Sequence, residues 1–425
     1  MNAARSLLGS ALIYAFSNGL AAGLPLLLLP ILTRTLTPDE YGLVAMFGVV
    51  VTAFGALTGL SVHGAVSMRY FDRDSLDFPR YLGSCLAILA VTSCATLLLA
   101  ATLSPLLTAA TNLTLPVLLL AVVMSCAQFL IQTRLAVWQS AKQPWKFGGF
   151  RLSQAGLDLS LSLFLVLGLG LAWQGRIAGM VVAAIALAIL SVLSLGRDSL
   201  IRWPPSRDYV RNALSFGLPL VPHVVGGMLL TISDRVMISS IIGVAETGIY
   251  MVAVQAGLAI GLLTDAMNRA LAPWLIETLR RRDVDRDVLI VRLSYLYSLV
   301  LICGALLVGW GAPMLTMLIA GPQFQAAASL IGTIAIGYAF GGMYLLVVNY
   351  IFYAGKTGRL AAITLCIGLF NAGLSYLLLS SNGLVGAAQS FALSQAFLFL
   401  ATWWLANQVH PMPWLKALFP GRVAT

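Results

Sequence analysis

The chain has 425 residues, of which 60% are hydrophobic and only 9% charged. This composition excludes an ordinary soluble domain, in which about 25% of residues are charged. The formal net charge of +10 would suit nucleic acid, but the bases lie in alternate loops between apolar blocks, a pattern typical of membrane proteins. The five cysteines stand singly inside apolar blocks, so the sequence predicts neither a metal site nor a disulfide framework.

Twelve apolar blocks of membrane-spanning length follow one another along the chain, since about 20 residues cross a bilayer as a helix. In the first half they predict helices at 7–33, 41–65, 81–103, 115–137, 149–173 and 177–195. In the second half they predict helices at 213–233, 248–268, 288–310, 328–351, 360–379 and 384–406. Pro25 and Pro30 lie in the first block and predict a bend there, because each removes a backbone hydrogen bond.

The most polar stretch of the chain separates the sixth block from the seventh. It carries four arginines and a Pro-Pro pair between Gly196 and Asn212. Such a polar, proline-containing stretch is typical of a boundary between domains. The sequence therefore predicts a six-helix N-terminal lobe at 1–196, a cytoplasmic linker at 197–212 and a six-helix C-terminal lobe at 213–425.

The distribution of basic residues predicts the orientation in the membrane. An even number of spans places both termini on one side. With the N-terminus inside, 22 of the 25 basic residues fall in inner loops, and only Arg34, Arg176 and Arg235 fall outside. The positive-inside rule therefore predicts cytoplasmic N- and C-termini. The basic surface then faces the anionic inner leaflet, which explains the net charge without nucleic acid.

The two halves carry weak copies of the same sequence pattern. Glu40-Tyr41-Gly42 aligns with Glu246-Thr247-Gly248 at an offset of 206. Gly175 to Gly179 resembles Gly383 to Gly386 at an offset of 208, and each half opens with a proline pair. Six helices separate the copies, so they run the same way through the membrane. Parallel repeats of this kind predict a transport pathway at the seam between the halves.

Two segments resemble a known family of transporters. PILTRTLTPDEYGLVAMFGVVVTAFGALTGLSVHGAVSMRYF, at 30–71, and SDRVMISSIIGVAETGIYMVAVQ, at 233–255, are similar to signatures of the Wzx-like oligosaccharide flippases. The stretch from Lys356 to Ala388 resembles the late pattern of the same family. One departure is Ser380-Ser381, where family members often have a proline. The likeness covers nearly the full chain.

The resemblance implies an all-α membrane protein of twelve transmembrane helices in two six-helix bundles around a central cavity, as in MATE-like transporters. It implies a flippase for undecaprenyl-diphosphate-linked O-antigen or exopolysaccharide repeat units in a bacterial inner membrane. The implied partners are this lipid-linked oligosaccharide, the bilayer, a polysaccharide polymerase and a chain-length regulator. We expect a monomer that needs no cofactor or metal and binds no nucleic acid.

Polar side chains within the apolar spans are the candidate cargo-binding residues, because intramembrane charges and amides are costly and mark transport routes. Arginine suits a diphosphate, since its planar fork binds two oxygens and stays charged. Amides, hydroxyls and aromatic rings suit sugars. The candidates are Arg34, Gln128, Gln132, Arg134, Gln154, Asp158, Asp234, Arg235, Arg269, Tyr338 and Asn349.

Each group of candidates also has a purely structural interpretation. The glutamines can pair across packed helices, Arg34 can extend to the membrane interface, and the aromatic residues near Tyr338 can be interfacial. Asp234 and Arg235 can pair with each other. The sequence leaves these alternatives open, although an acid as central as Asp158 favours the cavity.

Ion coupling would require a titrating group within the spans. The candidates are Asp158, Asp234, Asp265 and His223. Asp265 lies four residues before Arg269 on a predicted helix, so the two can form an ion pair. We expect transport by alternating access, with the two halves rocking about the seam.

Two other classes of function compete with the flippase. A cation-coupled drug or metabolite antiporter of the same superfamily often carries an acid in its first helix, where this chain has only Asn18 before Arg34. A membrane polysaccharide polymerase or ligase usually needs a large outer loop, and no predicted outer loop here is longer than about 20 residues. The chain has no P-loop and only three histidines, so the sequence predicts a protein that is not an enzyme.

Overall fold

A computed structural model describes residues 2–280 and 284–418. Throughout these ranges the secondary structure is helical, and no strand occurs among them. The predicted all-α class is therefore confirmed. The N-terminal part contains α1 (Asn2–Thr35), α2 (Pro38–Leu57), α3 (His63–Arg69), α4 (Phe78–Thr102), α5 (Ser104–Thr111), α6 (Leu115–Ser140), α7 (Pro144–Leu163) and α8 (Ala172–Arg197).

The C-terminal part continues the helical pattern. It contains α9 (Arg207–Gly217), α10 (Val221–Thr231), α11 (Ser233–Ile241), α12 (Val244–Arg280), α13 (Val284–Trp310), α14 (Ala312–Ile319), α15 (Ala328–Tyr353), α16 (Thr357–Val409) and α17 (Trp414–Leu418). Proline occupies the first turn of α2, α4, α5, α6 and α7, where its missing N–H costs nothing. Thr37 and Glu40 also form a capping box at the start of α2.

The described residues form eleven helical stretches that are long and apolar enough to cross a membrane. The last of them, Gly358–Val409, has 52 residues, which at about 1.5 Å per residue is more than twice the roughly 30 Å of a bilayer core. Gly383 interrupts it with φ 59° and ψ −141°, a conformation that favours glycine. The eleventh and twelfth predicted spans are therefore joined end to end at Gly383.

Several predicted helix bounds are wrong, each because of a local backbone break. The predicted helix 41–65 ends at Leu57, since Gly59 and Leu60 take positive φ angles. The predicted helix 149–173 already begins at Pro144. It widens into a π-helical turn at Phe164–Gly168 and ends there, before α8 begins at Ala172. The seventh helix begins in the predicted linker and is interrupted at Leu218–Leu220. By contrast, α1 is helical across Pro25 and Pro30, so the bend there stays a prediction.

The chain divides into two compact units. The first unit comprises Met1–Met228 and Arg235–Gly248, and the second comprises Leu229–Asp234 and Ile249–Thr425. In the first unit the predicted linker packs against α4. The backbone N–H of Arg202 donates to the Pro79 carbonyl at 3.0 Å, and that of Ser206 donates to Ser84 Oγ at 3.0 Å. The lobe bounds proposed from the sequence stay a proposal.

Two repeat-related glycines of the first unit allow close helix contact. A Cβ added at Gly42 would lie 2.0 Å from the Val244 carbonyl oxygen, and one at Gly248 would lie 2.1 Å from the Pro38 carbonyl oxygen. Val244 follows Pro38 by the same 206 residues that separate Gly248 from Gly42. The start of α2 and the start of α12 therefore contact each other through equivalent residues, as a parallel repeat requires.

Candidate functional site

The first unit encloses a polar cavity of about 170 Å³ among α1, α6, α7 and α8. Its apolar wall comes mainly from α1 and α8, and its polar wall comes from α6 and α7. The lining residues are Ala21, Leu24, Pro25, Leu28, Met124, Gln128, Arg151, Gln154, Ala155, Asp158, Leu159, Met180, Ala183 and Ala184. Three of the predicted site residues, Gln128, Gln154 and Asp158, therefore meet at one cavity.

The polar wall follows from helical spacing. Arg151, Gln154 and Asp158 are three and four residues apart on α7, so they share one face. Gln128 joins them from the middle of α6. Arg151 Nη1 donates to Gln154 Oε1 at 3.0 Å, whereas Arg151 Nε is buried and has no hydrogen-bond partner among the described residues. The cavity thus holds an arginine with unused hydrogen-bonding capacity.

An ion pair ties the polar wall to α8. Arg176 Nη1 lies 2.5 Å from Asp158 Oδ1 and 2.5 Å from Ser162 Oγ, and the Arg176 side chain is only 9% exposed. A Cβ at Gly179 would lie 2.7 Å from Ser162 Oγ, so this glycine lets α8 approach α7 closely. Sequence reasoning placed Arg176 in an outer loop and missed this contact. The sequence did offer one sign of this contact: Arg176 lies among small residues at the start of an apolar block, where a helix can approach its neighbour closely.

Two other candidates on α6 lie outside this cavity lining. Gln132 is exposed. Arg134 is 2% exposed, with Nη2 2.5 Å from Asp198 Oδ2 and its guanidinium 4.2 Å from the centre of the Trp138 ring. A rotation of 100° per residue carries Arg134 well away from the face of Gln128. The structure therefore favours a packing role for Arg134, and its role in cargo binding stays a prediction.

Replacing Arg134 by Lys is expected to lower the free energy of unfolding by roughly 1–3 kcal/mol, because lysine loses the stacking of the planar guanidinium on Trp138 beside its contact with Asp198. Transport per folded molecule should be unchanged. Thermal unfolding of the purified protein measures the change in stability. Transport normalised to the amount of folded protein measures any change in activity. The exposed neighbour Gln132→Ala is the control and should stay within about 0.5 kcal/mol of wild type. Full stability with lost transport would instead support a cargo role.

The candidates on α1, α10 and α11 have different surroundings. In the first unit, Arg34 is exposed and its Nη1 donates to the Pro30 carbonyl at 2.8 Å, while Arg235 is partly exposed on α11. In the second unit, Asp234 is 3% exposed and accepts a hydrogen bond of 2.5 Å from the Tyr250 hydroxyl. His223 lies on α10, but its side chain is outside the described part of the structure.

The remaining candidates belong to the second unit. The predicted pairing of Asp265 with Arg269 is confirmed, with Arg269 Nε 2.8 Å from Asp265 Oδ2 and both side chains about half exposed. Asn349 is buried and donates to Asn268 Oδ1 at 2.8 Å. The Tyr338 ring packs against Phe391, with a centroid separation of 5.3 Å. Across 2–280 and 284–418, no three His, Cys, Asp or Glu side chains lie close enough together to hold a metal ion.

Comparisons with known proteins place this architecture among membrane proteins of polysaccharide synthesis. The family described as Polysaccharide biosynthesis protein matches residues 7–279. Two proteins of Haemophilus influenzae are similar over most of their length. The "Lsg locus putative protein 1" is 25% identical over 78% of this chain and 81% of its own. An "Uncharacterized membrane protein" is 24% identical over 84% of this chain and 86% of its own.

Solved structures share the fold at low sequence identity. The "Lipid II flippase MurJ, inward closed conformation" has a TM-score of 0.76 and 12% identity, covering 96% of this chain and 91% of its own. The inward-facing conformation of a multidrug resistance MATE family transporter has a TM-score of 0.74 and 13% identity, covering 94% of each chain. The MATE-like fold implied by the sequence resemblance is therefore confirmed.

Proposed function

Because the chain belongs to the polysaccharide biosynthesis protein family, we propose that it is a flippase for polyprenyl-diphosphate-linked oligosaccharides. The cargo would move from the cytoplasmic to the periplasmic leaflet of a bacterial inner membrane, and both termini would be cytoplasmic. Membership of a polysaccharide family favours a glycolipid cargo over the drugs of the antiporter alternative. We further propose that the protein works beside a polymerase and a chain-length regulator and acts as a monomer.

The polar cavity of the first unit is the observation that carries this proposal. Its polar wall lies within helices apolar enough to span a membrane, where charges and amides are costly and often mark functional sites. Arg151 offers a cation and a buried unpaired N–H to a phosphate oxygen. Gln128 and Gln154 offer amides to hydroxyl groups. At about 170 Å³ the cavity is smaller than the roughly 300–1,000 Å³ of most ligand pockets, so it would receive one polar group of the cargo.

We place ion coupling at Asp158 within the same cavity. Protonation would neutralise the Asp158 carboxylate and remove the attraction that holds Arg176 Nη1 at 2.5 Å. The α7–α8 contact would then loosen, and the shape of the polar wall would change. Such a local charge change can bias a rocking, alternating-access equilibrium. The position of the Asp158–Arg176 ion pair at the cavity wall favours this choice. Asp265 also pairs with Arg269, but that pair is about half exposed and is not part of the cavity lining.

A deletion strain is expected to accumulate its lipid-linked repeat unit in the inner leaflet, and the wild-type gene should clear it. Complementation with Arg151→Gln should leave most of the intermediate in place, a loss of roughly tenfold or more in flipping. This magnitude corresponds to one charge-assisted hydrogen bond of about 1.5–3 kcal/mol. Labelling of the glycan from the periplasmic side measures the distribution across the membrane.

Arg197→Gln is the matched control, since Arg197 is an exposed arginine at the end of α8. It should clear the intermediate as wild type does. Equal clearance by Arg151→Gln and wild type would remove the cavity from the cargo pathway. A deletion strain that accumulates no lipid-linked intermediate would contradict the flippase itself.

A further inference from the structure

A groove of about 510 Å³ runs along the start of α9 in the first unit. Its walls combine two arginines with an apolar floor. The lining residues are Pro205, Ser206, Arg207, Val210, Arg211, Leu214, Ser215 and Leu218. The groove lies outside the polar cavity and shares no residue with it, so it has no part in the transport site described above.

The opposite face of α9 is already used for packing. Tyr209 stacks edge-on against Tyr81 with a centroid separation of 5.6 Å, Ala213 is fully buried, and the Asn212 amide oxygen accepts from Arg69 Nε at 3.2 Å. These contacts fix the rotation of the helix. On the groove face, Arg207, Arg211 and Leu218 are therefore exposed, whereas Val210 and Leu214 are partly buried and also pack against the core.

The two groove arginines differ from other arginines nearby. Arg202 pairs with Asp77 at 3.0 Å, Arg80 donates to the Pro204 carbonyl at 3.0 Å, and Arg134 pairs with Asp198. Arg207 and Arg211 are exposed, and in the described part of the chain neither guanidinium group has an ion-pair or hydrogen-bond partner. They lie one helical turn apart, so their guanidinium groups can bind the same anion.

The groove begins where the chain enters its membrane-spanning stretch. Arg207 is the first residue of the candidate span Arg207–Thr231, and Trp203, just before it, is 58% exposed. Exposed tryptophan is typical of the headgroup level of a membrane. Below the arginines, Val210, Leu214 and Leu218 continue the groove into the apolar span. A soluble anion would contact the arginines but gain nothing from this apolar floor.

We propose that the groove binds an anionic phospholipid. The phosphate lies between the guanidinium groups of Arg207 and Arg211, and one acyl chain follows the apolar floor towards Leu218. An anionic lipid is favoured over a zwitterionic one, because the groove offers two unpaired cations and no unpaired acid among its lining residues. The proposal concerns the bilayer and does not depend on which cargo the protein moves.

Binding to the full-length purified protein in detergent tests the proposal, with palmitoyl-oleoyl phosphatidylglycerol as the probe and the matching phosphatidylcholine as comparison. The double variant Arg207→Gln/Arg211→Gln is expected to bind phosphatidylglycerol about 30-fold more weakly, since each arginine near a membrane surface contributes about fivefold. Leu218→Ser should weaken binding of phosphatidylglycerol but leave binding of glycerol phosphate unchanged. Arg197→Gln, an exposed arginine outside the groove, should behave as wild type.

Four results would overturn the proposal. The first two are binding of phosphatidylcholine, or of glycerol phosphate alone, as tight as that of phosphatidylglycerol. The third is undiminished binding of phosphatidylglycerol by the double variant. The fourth is displacement of bound phosphatidylglycerol by undecaprenyl phosphate at concentrations below those of phosphatidylglycerol. The last result would assign the groove to cargo lipid. Should the double variant not fold, electron cryo-microscopy of the wild-type protein in phosphatidylglycerol nanodiscs tests the site instead. Electron cryo-microscopy should show a phosphate between the two arginines and an acyl chain beside Val210, and an empty groove would refute the site.

Discussion

Replacing Asp158 by Asn is expected to lower the free energy of unfolding by roughly 3 kcal/mol, near the lower end of the cost of removing one partner from a buried ion pair. The lower end applies because the Asp158 side chain is 25% exposed. Arg176, only 9% exposed, would keep its charge without its carboxylate partner. Thermal unfolding of the purified protein measures the loss.

The chain contains its own control for this change. Asp265 forms an ion pair of similar length with Arg269, but both side chains are about half exposed. Asp265→Asn should therefore cost less than about 1 kcal/mol, as for surface ion pairs in general. Equal destabilisation by the two substitutions would show that burial of the Asp158–Arg176 pair is not what matters.

The double variant Asp158→Asn/Arg176→Gln separates stability from ion coupling. It removes both charges, so it should be more stable than Asp158→Asn alone. Under the proposed coupling, the folded double variant no longer responds to an ion gradient. Transport that keeps the wild-type dependence on the gradient would exclude Asp158 as the coupling group, whatever its role in stability.

Replacing Gly42 by Ala is expected to destabilise the contact between the starts of α2 and α12 by about 1–3 kcal/mol, the usual cost of overpacking. The added Cβ would lie 2.0 Å from the Val244 carbonyl oxygen, and a backbone atom cannot move away as a flexible side chain can. Gly248→Ala should have a similar effect, because its Cβ would lie 2.1 Å from the Pro38 carbonyl oxygen. Thermal unfolding and the glycan-flipping assay are the measurements.

Two glycines on the same helix are matched controls. Nothing lies within 4 Å of a Cβ added at Gly48 or Gly55. Alanine at either position should therefore be neutral or stabilising by up to about 1 kcal/mol, since alanine favours a helix over glycine. If Gly42→Ala behaved like Gly48→Ala, the close contact between the repeat-related helix ends would not exist in the protein.

The polar cavity could be anticipated only in part. Gln128, Gln154 and Asp158 were all candidates from the sequence, and Gln154 and Asp158 are four residues apart, so they share a helix face. That Gln128 meets them at one cavity comes from the structure. Arg134 was a candidate because it lies near Gln128 in the sequence. Its rotation around α6 instead carries it to Asp198 and Trp138.

Arg176 shows what a count of charges along the chain misses. The positive-inside pattern assigned it to an outer loop from its position between two apolar blocks. The small residue Gly179 lets α8 approach α7, and the guanidinium then reaches the Asp158 carboxylate. The pairing depends on the distance between two packed helices, which no spacing within one helix encodes.

By itself, the sequence determined that this protein is a bundle of membrane-spanning helices built from a parallel repeat. It could do so because a bilayer forces the backbone to satisfy its own hydrogen bonds, and the length of each apolar block then sets each helix. Only the tertiary structure decided which polar side chains meet, which arginines are paired and which face a groove. Those outcomes depend on the rotation, depth and approach of helices that are far apart in the chain.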